Sequence, residues 1–99
     1  MEAYKYMGVY YWITNKQKMA LKYWEKSITI GKNAGTKPEL ARTYFEVGKR
    51  LSDKKSTQKE LNGIKAEEYL EKAKAMFEDL DLKWDLDNLT KLRKNDEKI

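Results

Sequence analysis

Apolar positions along the chain recur mostly three and four residues apart, the period of a helix that buries one face. They fall into five segments. From Glu2 to Thr14, the residues Tyr4, Met7, Gly8 and Tyr11 share a face, and Asn15 then suits a left-handed turn. From Lys16 to Lys32 the stripe is Ala20, Tyr23, Trp24, Ser27, Ile28 and Gly31, closed by Asn33-Ala34-Gly35. Thr36, Pro38 and Glu39 read as a helix start, with a capping residue, a first-turn proline and an acid three residues on. The helix that follows, Pro38 to Leu51, turns Leu40, Tyr44, Val47, Gly48 and Leu51 inward. Ser52 to Lys59 is polar without apolar period and is expected to be an exposed loop. The fourth helix is expected over Glu60 to Leu80, with Ala66, Tyr69, Leu70, Ala73, Met76, Phe77 and Leu80 on its stripe. Gly63 leaves its onset loose, because an interior glycine costs about 1 kcal/mol relative to alanine. A fifth helix carries Leu82, Leu86, Leu89 and Leu92, with Asp81 in the left-handed turn before it. Arg93 to Ile99 is expected to fray. The fold class that follows is all-α.

Two of these helical pairs repeat a pattern. Aligning Gly8 with Gly48 brings Tyr4 onto Tyr44, Met7 onto Val47 and Tyr11 onto Leu51. Aligning Ala20 with Ala66 brings Trp24 onto Leu70 and Ser27 onto Ala73. Small residues let paired helices approach, and large apolar neighbours fill the flanking holes. The first copy reads Tyr4-x2-Met7-Gly8-x2-Tyr11, then Ala20-x3-Trp24, twelve residues beyond Gly8. This resembles the tetratricopeptide repeat, a helical hairpin of about 34 residues with the pattern W-x2-L-G-x2-Y, then A-x3-F. The second copy departs from it, because Gly48 and Ala66 are eighteen residues apart and the two glycines forty. A period of forty also suits the HEAT class of helical hairpin, at about 40–47 residues. The stretches PELARTYFEVGKRL and AEEYLEKAKAMFEDLDLKWDL look similar, more weakly, to repeat arrays ending large bacterial signalling proteins.

The resemblance implies antiparallel hairpins stacked in a right-handed superhelix. Residues 1–35 would form one repeat and 36–80 a second, interrupted by the loop at 52–59. Residues 81–92 would form a capping helix and 93–99 a frayed tail. A solenoid end needs one side that packs and one that meets water, which the single leucine stripe of the last helix provides. The first helix has no such division. Tyr4, Tyr6, Met7, Val9, Tyr10, Tyr11, Trp12 and Ile13 leave it almost no polar face. A helix apolar all round is normally buried all round, so this one should meet a preceding repeat or a second copy of the chain.

Composition narrows the chemistry. In 99 residues, 40% hydrophobic and 37% charged, there is no cysteine and no histidine. Disulfides, thiolate nucleophiles and the commonest transition-metal ligand are therefore excluded. No phosphate-cradling glycine loop or nucleophile–base pair occurs. The acids Glu67, Glu68, Glu71, Glu78, Asp79 and Asp81 lack the spacing of a calcium loop and read as a solvated helix face. Neither catalysis nor a metal or cofactor is expected. No membrane-spanning run or signal peptide is visible, which makes the cytoplasm the expected location.

Charge is uneven. Fourteen basic and six acidic residues precede Ala66, whereas Ala66 to Thr90 holds three basic and eight acidic ones. Within the family, the first helix of each hairpin lines a concave peptide groove. The resemblance assigns that role here to Lys5, Val9 and Trp12 in the first copy and Arg42, Phe45 and Lys49 in the second. Such a surface would suit an acidic, partly apolar peptide or protein. The clamp that some members close on a C-terminal carboxylate is not expected, since Val9 and Glu46 stand where asparagines belong. The reading is a protein-interaction scaffold; the alternatives are a homo-oligomerisation module or, less favoured, a basic nucleic-acid binder. Charge reversal at Lys5, Arg42 or Lys49 is expected to spare stability.

Overall fold

The computed structural model describes the backbone of residues 2–97 and the side chains of residues 3–92. Five helices form: α1 (Glu2–Ile13), α2 (Gln17–Ala34), α3 (Lys37–Leu51), α4 (Ala66–Asp79) and α5 (Lys83–Glu97). Before α4 stand two short strands, β1 (Glu60–Leu61) and β2 (Ile64–Lys65). The fold is all-α. No helix among the described residues is long and apolar enough to cross a membrane.

The turns follow from single residues that accept positive φ. Asn15 (φ 70°) ends α1, and the amide of Lys16 donates to the Tyr11 carbonyl at 2.8 Å. Asp81 (φ 55°) ends α4 in the same way, with the Leu82 amide on the Phe77 carbonyl at 2.9 Å. This six-to-one bond satisfies a carbonyl that the helix end would otherwise orphan. Gly35 (φ 69°) closes α2, its amide reaching the Gly31 carbonyl. Pro38 sits in the first turn of α3, where its missing N–H costs nothing.

α1 folds back on α2 and α3 on α4. In each hairpin a glycine lets a large side chain lie against the opposite backbone. A Cβ on Gly8 would stand 2.3 Å from Nε1 of Trp24, which is fully buried and donates to the Lys5 carbonyl at 3.1 Å. A Cβ on Gly48 would meet Leu70 at 2.8 Å and the Ala66 carbonyl oxygen at 3.1 Å. Trp24 and Leu70, aligned in the sequence, thus do the same job. The nearest neighbour of each glycine is the large residue, and at Gly48 the backbone of Ala66, the alanine expected opposite it, comes close as well.

Between the hairpins, α2 packs on α3 through Ile28, Leu40 and Val47 in the common core. A polar link crosses that junction: Ser27 Oγ lies 3.3 Å from Thr43 Oγ1, which itself donates to the Glu39 carbonyl at 2.9 Å. The second hairpin is filled by aromatic pairs, Tyr44 with Tyr69 and Phe45 edge-on to Phe77. Leu82, just before α5, and Leu86 and Leu89 within it pack against the core, and α5 remains helical to Glu97, further than the fraying expected from Arg93. Residues 98 and 99 of that expected tail lie outside the described residues.

The segment between α3 and α4 differs most from the sequence reading. α4 begins at Ala66, not Glu60, and residues 60–65 form a hairpin with Glu60 opposite Lys65 and Leu61 opposite Ile64. Asn62 (φ 56°) and Gly63 (φ 76°) make its turn, the two-residue geometry with both φ values positive that Asn-Gly favours. Leu61 is buried, and its carbonyl accepts a hydrogen bond from the Tyr69 hydroxyl at 2.7 Å. The preceding loop is anchored rather than free. The Gln17 side chain donates to the Lys55 carbonyl at 3.1 Å and accepts from the amide and hydroxyl of Thr57 at 2.8 and 2.9 Å. Ser56 is buried and donates to the Gln58 carbonyl.

Candidate functional site

The described residues contain no cluster of three or more acidic side chains placed to hold a metal ion. A groove of about 780 Å³ is bounded by α1, α3 and α5. Lys5 and Val9 reach it from α1, and Arg42, Phe45 and Lys49 from α3. These are five of the six residues that the repeat pattern assigns to a concave face. Their positions follow from helix geometry: Gly8 and Gly48 fix which face of each helix meets its hairpin partner, and the residues about 100° round from it look into the groove.

Trp12 does not belong to the groove. It is buried against Trp24, with ring centroids 5.5 Å apart. Near the turn that closes its hairpin, this large ring packs on the indole beside Gly8 rather than on the open face. Met7, expected to face inward, is instead partly exposed.

Arg42 lines the groove but already has partners. Its Nε and Nη2 donate to the two carboxylate oxygens of Asp85 at 3.2 and 3.3 Å, and Nη1 pairs with Glu39 at 3.1 Å. The Asp85 hydrogen bonds raise the guanidinium pKa against the opposing effect of burial, so Arg42 stays charged. Asp85 is itself buried, and a carboxylate there needs this fork-shaped donor. Arg42 is therefore the strut that holds α5 on α3. Its charge reversal would not spare stability, contrary to the expectation from sequence.

The remaining polar groups sort themselves similarly. Glu46 is held by Arg50 at 2.7 Å. Lys5, Lys49 and Lys91 line the groove, and among the described residues none of them forms an ion pair with a carboxylate. Lys5 instead lies over the Tyr6 ring, 4.8 Å from its centroid. Val9 and Phe45 give the groove an apolar floor, and Trp84, 75% exposed, stands at its edge on α5. Sequence reasoning misses Trp84, Asp85, Asn88 and Lys91, because the single leucine stripe of α5 marks that helix as a cap. The available signal was Trp84 itself, an aromatic off that stripe in an otherwise polar run.

No family model matches the chain, and no curated protein or solved structure matches it either.

Proposed function

We propose that this chain is a non-catalytic, cytoplasmic protein-interaction scaffold of stacked helical hairpins, resembling tetratricopeptide repeats, whose α1–α3–α5 groove binds an acidic, partly apolar peptide segment. One observation carries this reading: Lys5, Lys49 and Lys91 share a groove with Val9, Phe45 and Trp84, while the acids beside them, Asp85 and Glu46, are engaged by arginines. An extended acidic segment would set carboxylates on the three ammonium groups and an apolar side chain against Phe45 and Trp84. The ammonium groups steer and orient, while burial of the apolar side chain adds affinity. The glycine-marked contacts, repeated in both hairpins with Trp24 and Leu70 in equivalent places, support the repeat reading.

Trp84 supplies the test. Of three tryptophans, Trp12 and Trp24 are buried, so a groove ligand changes chiefly the Trp84 emission. Titration with a ten-residue peptide of alternating glutamate and leucine should shift that emission to the blue. Lys49→Glu should weaken the response at least about tenfold, or about 1.4 kcal/mol. A Trp84→Phe variant, lacking the signal, verifies its origin. Emission that stays constant with the acidic peptide, or a lysine-for-glutamate peptide that binds equally well, would contradict the proposal.

A further inference from the structure

We infer that α1 is also a self-association surface, on which a second copy of this chain docks through Tyr6, Tyr10 and Ile13. These residues are 62%, 62% and 69% exposed, and they adjoin Met7 on the side of α1 turned away from α2. Between Ala3 and Asn15 the only charged residue is Lys5, which points into the groove.

The second hairpin provides an internal comparison. Forty residues on, α3 carries Thr43 and Val47 where α1 carries Ala3 and Met7. On α3 both are fully buried, whereas Ala3 and Met7 are exposed. In place of Tyr6 and Tyr10, α3 has Glu46 and Arg50, an ion pair suited to a wet margin. In place of Ile13 stands Asp53, exposed just beyond the end of α3. A hairpin stacked on α1 as α2 is on α3 would cover Ala3 and Met7. It would leave Ile13 where the second hairpin keeps an exposed acid. A partner that covers the whole stripe must instead be apolar along its length.

A second α1 meets that condition. Two copies related by a twofold axis bring the same stripe against itself, with the Lys5 ammonium, which lies over the Tyr6 ring, at its margin. The tyrosine rings carry their hydroxyls to the edge of the contact, where water satisfies them. From these exposures, the stripe with its rim offers about 500 Å² per chain, given about 150–250 Å² for a large aromatic side chain. The pair would bury about 1,000 Å², the lower bound for a specific interface, which implies a weak dimer. Tyr6 also lines the groove, so such a dimer would abut its α1 edge while Phe45, Lys49 and Trp84 lie on α3 and α5.

Sedimentation equilibrium of the full chain from about 5 to 500 µM, a span chosen for micromolar association, is the direct test. The weight-average mass should climb from 11.8 kDa towards twice that value. Ile13→Lys and Tyr10→Lys should each keep the circular-dichroism spectrum and raise the dissociation constant at least about tenfold. Trp84→Ala, which removes an exposed aromatic outside the stripe, should leave the constant unchanged. A monomer across the whole range would overturn the inference. So would a dimer indifferent to both lysine substitutions, or one lost in Trp84→Ala.

Discussion

At the scale of single residues, the two interhelical glycines carry unequal loads. Alanine at Gly8 would drive its methyl into the ring of Trp24, which has no free volume and holds the Lys5 carbonyl. Alanine at Gly48 meets the side chain of Leu70 at 2.8 Å, less closely than alanine at Gly8 meets the indole, and the Ala66 carbonyl oxygen at 3.1 Å. Gly8→Ala should therefore cost about 1–3 kcal/mol in thermal or urea unfolding, net of its gain in helix propensity. Gly48→Ala should cost less than Gly8→Ala. Equal stability of the two variants would reject the packing assigned to Trp24. Tyr69 makes a second residue-scale prediction. Burial, reinforced by nearby Tyr44 and acidic side chains, raises its pKa from an ordinary 10.0 to about 12. Burial raises the Tyr44 hydroxyl as well. A raised tyrosine contributes stability that is complete below pH 10 and is lost as pH climbs through about 12. Melting temperatures should fall across that window, and Tyr69→Phe, which cannot ionise, should fall less steeply.

Among the elements, α5 and the β-hairpin depend on contacts distant in sequence. Asp85→Asn leaves the Arg42 guanidinium without its carboxylate and should cost about 1–2 kcal/mol, a figure reduced because Arg42 is partly exposed. The loss should appear first as faster amide exchange in α5, with α1 and α2 unaffected. Uniform loss of protection along the chain would show that α5 is not a separable element. The sequence made most of the helices legible because their apolar stripes keep a clean helical period, and Asn15 and Asp81 marked their turns without any tertiary information. It misplaced the start of α4 because the helix beginning at the Ala66 stripe was extended back to Glu60 across Gly63. The Asn62-Gly63 pair, whose positive φ values make the hairpin turn, is a strong hairpin signal that the helical reading passes over. The docking of the 52–59 loop was not readable, since Gln17 and Thr57 are forty residues apart and neither carries a local signature. For the groove, the repeat resemblance named Lys5, Val9, Phe45 and Lys49, which lie along one concavity. Phase could not tell that Trp12 would turn to Trp24, or that Asp85 would claim Arg42.

Taken whole, the molecule carries two surfaces that meet at Tyr6 of α1: a groove whose lysines form no ion pair among the described residues, and an aromatic stripe bordered by Lys5. They respond differently to salt. Binding of an acidic peptide should weaken several-fold between low and physiological ionic strength, because the ammonium groups are exposed and screened. Association through Tyr6, Tyr10 and Ile13 should hold or strengthen under the same change, since screening lowers repulsion between two chains of net +5. A peptide affinity independent of salt would argue against lysine-directed binding. The most direct measurement of the central claim is an amide chemical-shift map of isotope-labelled protein titrated with the acidic peptide. The account predicts perturbations concentrated at Lys5, Val9, Phe45, Lys49 and Trp84, with the indole N–H of Trp84 among the largest. Perturbations confined to the far side, around Tyr4, Lys22 and Lys26, or none at all, would contradict it.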